Sequence, residues 1–203
     1  MGLPVLIVGA SGTGKTASLR NFESNEIGII NILGKRLPFR KKFDDYVTTN
    51  YAKLKKALLN AKVNVLFVDD AGYLITAEFM RRIQEKGFDK FSELASNYYE
   101  LIMFIQNELP DDKIVYLVMQ EDDTEAGRIK PKTCGKLLDE KICIEGMFTI
   151  VFRSIKKDGK WYFKTQTDGY DMAKTPIGLF DDELVDNDLK KITQEIQKYY
   201  KGE

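Results

Sequence analysis

Residues 9–16 read Gly-Ala-Ser-Gly-Thr-Gly-Lys-Thr, directly after the apolar run Leu3–Val8. Three glycines let a backbone curl until several N–H groups face one point, a geometry suited to an anion. Lys15 adds a positive charge on a long stem, and Thr16 adds a hydroxyl. The spacing is G-x-x-x-x-G-K-[ST], between an apolar strand pattern and a helical pattern. In that context these residue types cradle the phosphates of a nucleotide, with the lysine on the β- and γ-phosphates and the hydroxyl on Mg²⁺. The start of the following helix would add its positive dipole end. The spacing therefore predicts an ATP site built from Gly9, Ala10, Ser11, Gly12, Thr13, Gly14, Lys15, Thr16 and Ala17. A plain surface glycine turn is the alternative.

A bound Mg²⁺ needs a further oxygen donor. The run Val63–Val68 ends in Asp69-Asp70, a buried-strand pattern closing on carboxylates in the manner of a Walker B motif. Asp69 is the expected metal ligand beside Thr16. Asp70 either orients or activates the attacking water, or caps the next helix. The strand Lys113–Met119 is expected to end at Gln120, whose amide would lie near the γ-phosphate or stand as an ordinary strand-end side chain.

Two basic stretches follow different logic. Residues 121–141 open acidic and turn basic with Arg128, Lys130, Lys132 and Lys136, and their Gly and Pro content predicts a loop. These cations could contact nucleic-acid phosphates, act as a finger on a neighbouring subunit's nucleotide, or simply be solvated. Residues 33–43 carry five basic side chains interleaved with Phe39 and Phe43. They read as a phosphate contact with aromatic support, or as a charged loop anchored by its phenylalanines. Lys174, after the last strands, is a further candidate for action in trans.

The elements that must position these residues are legible as alternating patterns. Near-continuous apolar runs at 3–8, 27–33, 63–68, 113–119 and 148–155 suit strands buried on both faces. Helical spacing recurs at 15–22, 51–61, 77–85, 90–109 and 188–200, with Gly87 breaking the middle pair. Residues 156–168 predict a hairpin turning at Asp158-Gly159. The expectation is one α/β domain over 1–203, a mainly parallel sheet flanked by helices, with a C-terminal hairpin and helix.

Composition narrows the chemistry. The 203-residue chain has no histidine, which excludes a Ser-His-Asp triad, a Cys-His pair and a His-ligated zinc within it. Lys and Arg number 31 and Asp and Glu 31, so any nucleic-acid partner must be met by a local patch. No apolar run approaches the roughly 20 residues of a membrane span, and the short apolar start lacks a basic leader region, so no membrane partner and a cytoplasmic location are expected. Cys134 and Cys143 lack zinc-site spacing and read as reduced structural thiols.

With both phosphate motifs placed, the chain resembles the RecA-like branch of P-loop ATPases. It looks most like the short AAA/RecA-type nucleotide-binding proteins encoded by tailed phages of Gram-positive bacteria. The stretches EFMRRIQEKGFDKF, KTCGKLLDEK, EGMFTIVF and AKTPIGLFDDELVDNDL carry that closer resemblance. It implies a RecA-like core of strand order 5-1-4-3-2, ATP and Mg²⁺ binding, and a role in phage DNA recombination or replication in the bacterial host cytoplasm. It also implies work with a single-strand annealing or binding protein, and a finger borrowed from a neighbouring subunit would make the chain a homo-oligomer assembled on single-stranded DNA. Gln120 stands where the group often has a histidine, and the second strand ends NILGK with no catalytic glutamate. The expected activity is an ATPase, slow until assembled, with Lys15, Asp69, Asp70 and Gln120 as its catalytic set. A nucleotide or small-molecule kinase and a non-hydrolysing, ATP-gated loader or scaffold remain the alternatives.

Overall fold

The computed structural model describes residues 1–87, 89–124, 126–134 and 142–202. Strand β1 (Leu3–Gly9) is followed by the glycine loop and a six-residue 3-10 helix, Thr16–Asn21. Strands β2 (Ile27–Asn31) and β3 (Asp45–Val47) precede helix α1 (Tyr51–Asn60) and strand β4 (Val65–Asp69). Helices α2 (Tyr73–Arg81) and α3 (Asp89–Glu108) lead into β5 (Ile114–Asp123) and β6 (Ile129–Pro131). Strands β7 (Ile150–Lys157), β8 (Lys160–Lys164) and β9 (Leu184–Asp186) and helix α4 (Leu189–Lys201) complete the chain.

The fold is α/β, with helices on both faces of a mixed sheet of nine strands. Eight lie in the order β3-β2-β4-β5-β1-β7-β8-β9, and β6 pairs with β5 alone. Pairing is parallel from β3 through β7 and antiparallel for β8, β9 and β6. The sequence reading is corrected here: the sheet extends beyond five parallel strands, because short edge strands cap both sides. The five strands legible in the sequence correspond to β1, β2, β4, β5 and β7. Within the larger sheet they lie as β7-β1-β5-β4-β2.

The apolar runs behave as strands buried on both faces should. In β1, Leu6 and Val8 face one core with α1, α2 and α3, where Leu54, Leu74, Tyr98 and Ile102 are fully buried. Val5 and Ile7 face a second core with Leu19, Phe163, Leu189 and Ile196. Tyr116 reaches across that second layer, its hydroxyl sharing a hydrogen bond of 2.8 Å with Thr193 Oγ1 on α4. Asp188 caps α4 through the Lys191 N–H, and the β7–β8 turn falls at Asp158-Gly159, both with positive φ as such a turn requires.

Register decides where chemistry can occur. Gly9 pairs with Gln120, and Asn31 pairs with Asp69. All four therefore lie toward the carboxyl edge of the parallel strands, where open α/β sheets bind ligands. Among the described residues no helix is long and apolar enough to cross a membrane.

Truncating Ile196 tests the second core. Ile196→Ala should lower stability by about 2–5 kcal/mol. Urea unfolding should show a lower midpoint with an unchanged slope.

Candidate nucleotide-binding site

The glycine loop is shaped by where its carbonyls go. Lys15 Nζ donates to the carbonyls of Gly9 at 2.6 Å and Ala10 at 2.7 Å. Thr13 Oγ1 also donates to the Ala10 carbonyl. Strands β7 and β8 hold the rest: Ser154 Oγ donates to the Thr13 carbonyl at 2.7 Å, and Trp161 Nε1 to the Gly12 carbonyl at 3.1 Å. The carbonyls of Gly9, Ala10, Gly12 and Thr13 are thus each engaged, while the Thr13 N–H itself contacts the Ala10 carbonyl at 3.4 Å.

Two glycines are required by contact. A Cβ on Gly9 would lie 2.5 Å from the Ser154 carbonyl oxygen, and one on Gly14 would lie 2.8 Å from Trp161 Cγ, with φ already at 93°. Close packing of the β7–β8 hairpin on the loop thus excludes side chains at both positions.

The expected cluster assembles. Lys15 Nζ also donates to Gln120 Oε1 at 3.2 Å. Thr16 Oγ1 stands 3.0 Å from both carboxylate oxygens of Asp69. Asp70 lies beside them, buried, with its carboxylate ion-paired to Lys35. Burial draws the Lys15 ammonium down to about 8, against the attraction of Asp70, Glu121 and Asp69. Burial, and then the neighbouring Asp70 charge, push Asp69 up to about 6, against the Thr16 hydrogen bond. Both shifts mark charges held in a site that would be relieved by complementary charge.

The donor set fits the expected group. A threonine hydroxyl and a carboxylate are hard oxygen donors of the kind Mg²⁺ takes. Among the described residues there is no cluster of three or more His, Cys, Asp or Glu that could hold a metal. A cation held by Thr16 and Asp69 would need further oxygen ligands.

Several expectations are corrected. The helical stretch expected at 15–22 is a 3-10 helix of six residues, Thr16–Asn21, too short to carry much helix dipole. Asp70 does not cap α2: the N-cap is Gly72 without a side-chain bond, and Asp70 takes φ 58° and turns its carboxylate to Lys35. Gln120 is not the end of its strand, because β5 runs on to Asp123.

The segment expected as a loop begins as a hairpin, with Glu121–Asp123 paired antiparallel to Ile129–Pro131. Arg128 is exposed near its turn, Lys130 is half-buried on β6, and Lys132 is exposed, 3.9 Å from Asp122. The Lys132 N–H donates to the Gln120 carbonyl, so the hairpin base, not its tip, adjoins the site. Lys136 lies outside the described residues. Lys174 is held by a backbone bridge to Val151 on the β7 edge. In the 33–43 stretch, Phe39 and Phe43 pack on the second core, and Lys41 pairs with Glu23.

Sequence reasoning missed Ser154, Trp161, Lys35 and a buried ion network. In that network Arg153 binds Glu121 at 3.0 Å, and Asp171, its side chain wholly buried, joins Arg153 to Lys164. Glu121 directly follows Gln120, so the network fixes the base of the hairpin beside the loop. Only the strand order places these side chains together, and no local pattern announces it.

No protein-family model matches the chain, and no curated protein matches it in sequence.

The Asp69 shift has a signed consequence. The folded chain holds that proton more tightly than the unfolded chain, so ionised Asp69 destabilises the metal-free fold. Stability should rise as pH falls through about 6 toward the usual carboxylate value of 3.8, and be lost over the same window as pH rises. Asp69→Asn should stabilise the metal-free, nucleotide-free chain at pH 7 by about 1–3 kcal/mol. Urea titrations of both chains at pH 7 and pH 5 check this, with the difference shrinking at the lower pH.

Proposed function

We propose that the chain is a Mg²⁺-dependent ATP-binding and ATP-hydrolysing protein with a RecA-like core. The observation that carries this reading is the convergence of Lys15, Thr16, Asp69 and Gln120 beneath one glycine loop at the carboxyl edge of the sheet. The β7-β1-β5-β4-β2 order of the parallel strands supports the RecA-like assignment.

An incoming triphosphate competes for Lys15. Its ammonium leaves the Gly9 and Ala10 carbonyls for the β- and γ-phosphate oxygens, a stronger, charge-assisted partner. The loop N–H groups would take the remaining oxygens, the Thr13 N–H giving up its 3.4 Å contact with the Ala10 carbonyl. Thr16 and Asp69 would hold Mg²⁺, which neutralises phosphate charge when bound. Gln120, bonded to Lys15, is the candidate to sense the terminal phosphate or to orient the attacking water. Asp70 is the candidate proton acceptor as water adds to the γ-phosphorus and ADP leaves.

Among the described residues, the cations joined to the cluster are Lys15 and the Asp70-paired Lys35, few for the charge that builds on a transferred phosphate. That shortage favours a finger from a neighbouring copy, and hence a homo-oligomer with slow turnover until assembled. The β5–β6 hairpin, with Arg128, Lys130 and Lys132, is the proposed contact for single-stranded DNA or for a DNA-bound annealing or binding partner. Phage recombination or replication is the setting the sequence resemblance suggests. A non-hydrolysing, nucleotide-gated scaffold is the second reading, and the ion pair that occupies Asp70 favours it.

ATP hydrolysis with and without single-stranded DNA is the deciding measurement. The native chain should turn over slowly, and faster with DNA, and Lys15→Ala should lose both activities. Tight ATP binding without turnover in either condition selects the scaffold reading.

Trp161 is the chain's only tryptophan and touches the loop, so its emission should shift when MgATP is added. Neutralising Arg128, Lys130 and Lys132 together should remove the DNA stimulation and leave the emission shift intact.

A further inference from the structure

The basic stretch after β2 enters the site at one residue. Gly34, at φ 64°, turns the chain just past the strand, and the next residue, Lys35, is held twice. Its backbone carbonyl accepts a 2.7 Å hydrogen bond from Asn31 Nδ2. Its ammonium is ion-paired with Asp70. Asn31 is itself buried and fixed by a second 2.7 Å bond to Asp45 Oδ2. Lys35 is therefore an oriented cation rather than a free surface lysine.

An ammonium carries three donors. Among the described residues Asp70 is the one ion-pair partner of Lys35, and the Lys35 side chain is 58% exposed while that of Asp70 is 6% exposed. At least one donor is thus turned to solvent at the mouth of the site. Asp70 is the largest charge acting on Lys15, and Lys35 acts on Lys15 and Asp69 as well. Two cations, Lys15 from the loop and Lys35 from the β2 side, flank the same carboxylate.

We propose that Lys35 is a second cation of the phosphate site, whose free donors take the terminal phosphate and so distinguish a nucleoside triphosphate from a diphosphate. This rests on the nucleotide-binding reading above and adds a specificity-determining residue to it. Lys35 keeps Asp70 as its partner while binding the phosphate, so no buried carboxylate is abandoned. A diphosphate, which lacks the terminal phosphate, would be held by the loop, Lys15 and the Mg²⁺ that Thr16 and Asp69 would carry, without Lys35.

Isothermal titration with Mg²⁺ and either ADP or the β,γ-imido analogue of ATP tests this on the full chain. Lys35→Met should weaken the triphosphate analogue roughly 10- to 100-fold, the worth of one charge-assisted contact, and leave ADP within about twofold. Lys35→Arg should restore most of the triphosphate preference. Removing Lys35 strands a buried charge, so the comparison is repeated in an Asp70→Asn background, with and without Lys35→Met. There the same selective loss is expected. Equal weakening of both nucleotides, or no change in either, overturns the assignment while the nucleotide-binding reading stands. Failure of the native chain to bind either nucleotide overturns both.

Discussion

Everything at this site depends on engaging the peptide carbonyls of the glycine loop. A loop of free carbonyls would repel phosphate as strongly as its N–H groups attract it. Here the Gly9, Ala10, Gly12 and Thr13 carbonyls are each engaged by a donor, from Lys15, Thr13, Trp161 or Ser154. Two of those donors come from β7 and β8, about 140 residues along the chain and brought in only by the parallel pairing of β7 with β1. The loop is thus a product of the sheet as much as of its own glycines.

That dependence explains what could be read in advance. The glycines, Lys15, Thr16 and the Asp69-Asp70 pair announce themselves because their spacing is local and their neighbours are apolar runs of strand length. The helices α1, α3 and α4 were legible for the same reason, their buried residues falling at helical spacing. Ser154 and Trp161 were not legible, since a serine and a tryptophan in a hairpin carry no mark of the loop they will touch. The antiparallel extension of β5 was hidden by the acidic run Glu121–Asp123, whose charges look like loop until Arg153 and the β6 backbone are placed beside them. The three-residue strands β3 and β9 are too short to show alternation.

The charges follow one pattern. Asp69 and Lys15 are each held in a state that burial disfavours. The fold bears that cost in its resting form, which is the usual relation between a preorganised site and stability. Asp70 adds a backbone cost at φ 58°, a region non-glycine residues seldom adopt. A glycine there would relax the chain and strip Lys35 of its anchor, so the strained aspartate is better understood as part of the charge arrangement than as a turn.

The contact of one indole with the loop has a mechanical side. Trp161 sits on β8, whose other edge carries β9, and the Asn187 N–H that follows β9 donates to the Trp161 carbonyl. The outer margin of the sheet, the hairpin and the glycine loop are therefore linked in series like parts of a lever. A force that tilts β8 by a fraction of an ångström moves the Gly12 carbonyl, and with it the N–H groups on the other side of the same peptides. A displacement at the far edge of the sheet is thus carried by a chain of hydrogen bonds to the peptides of the glycine loop.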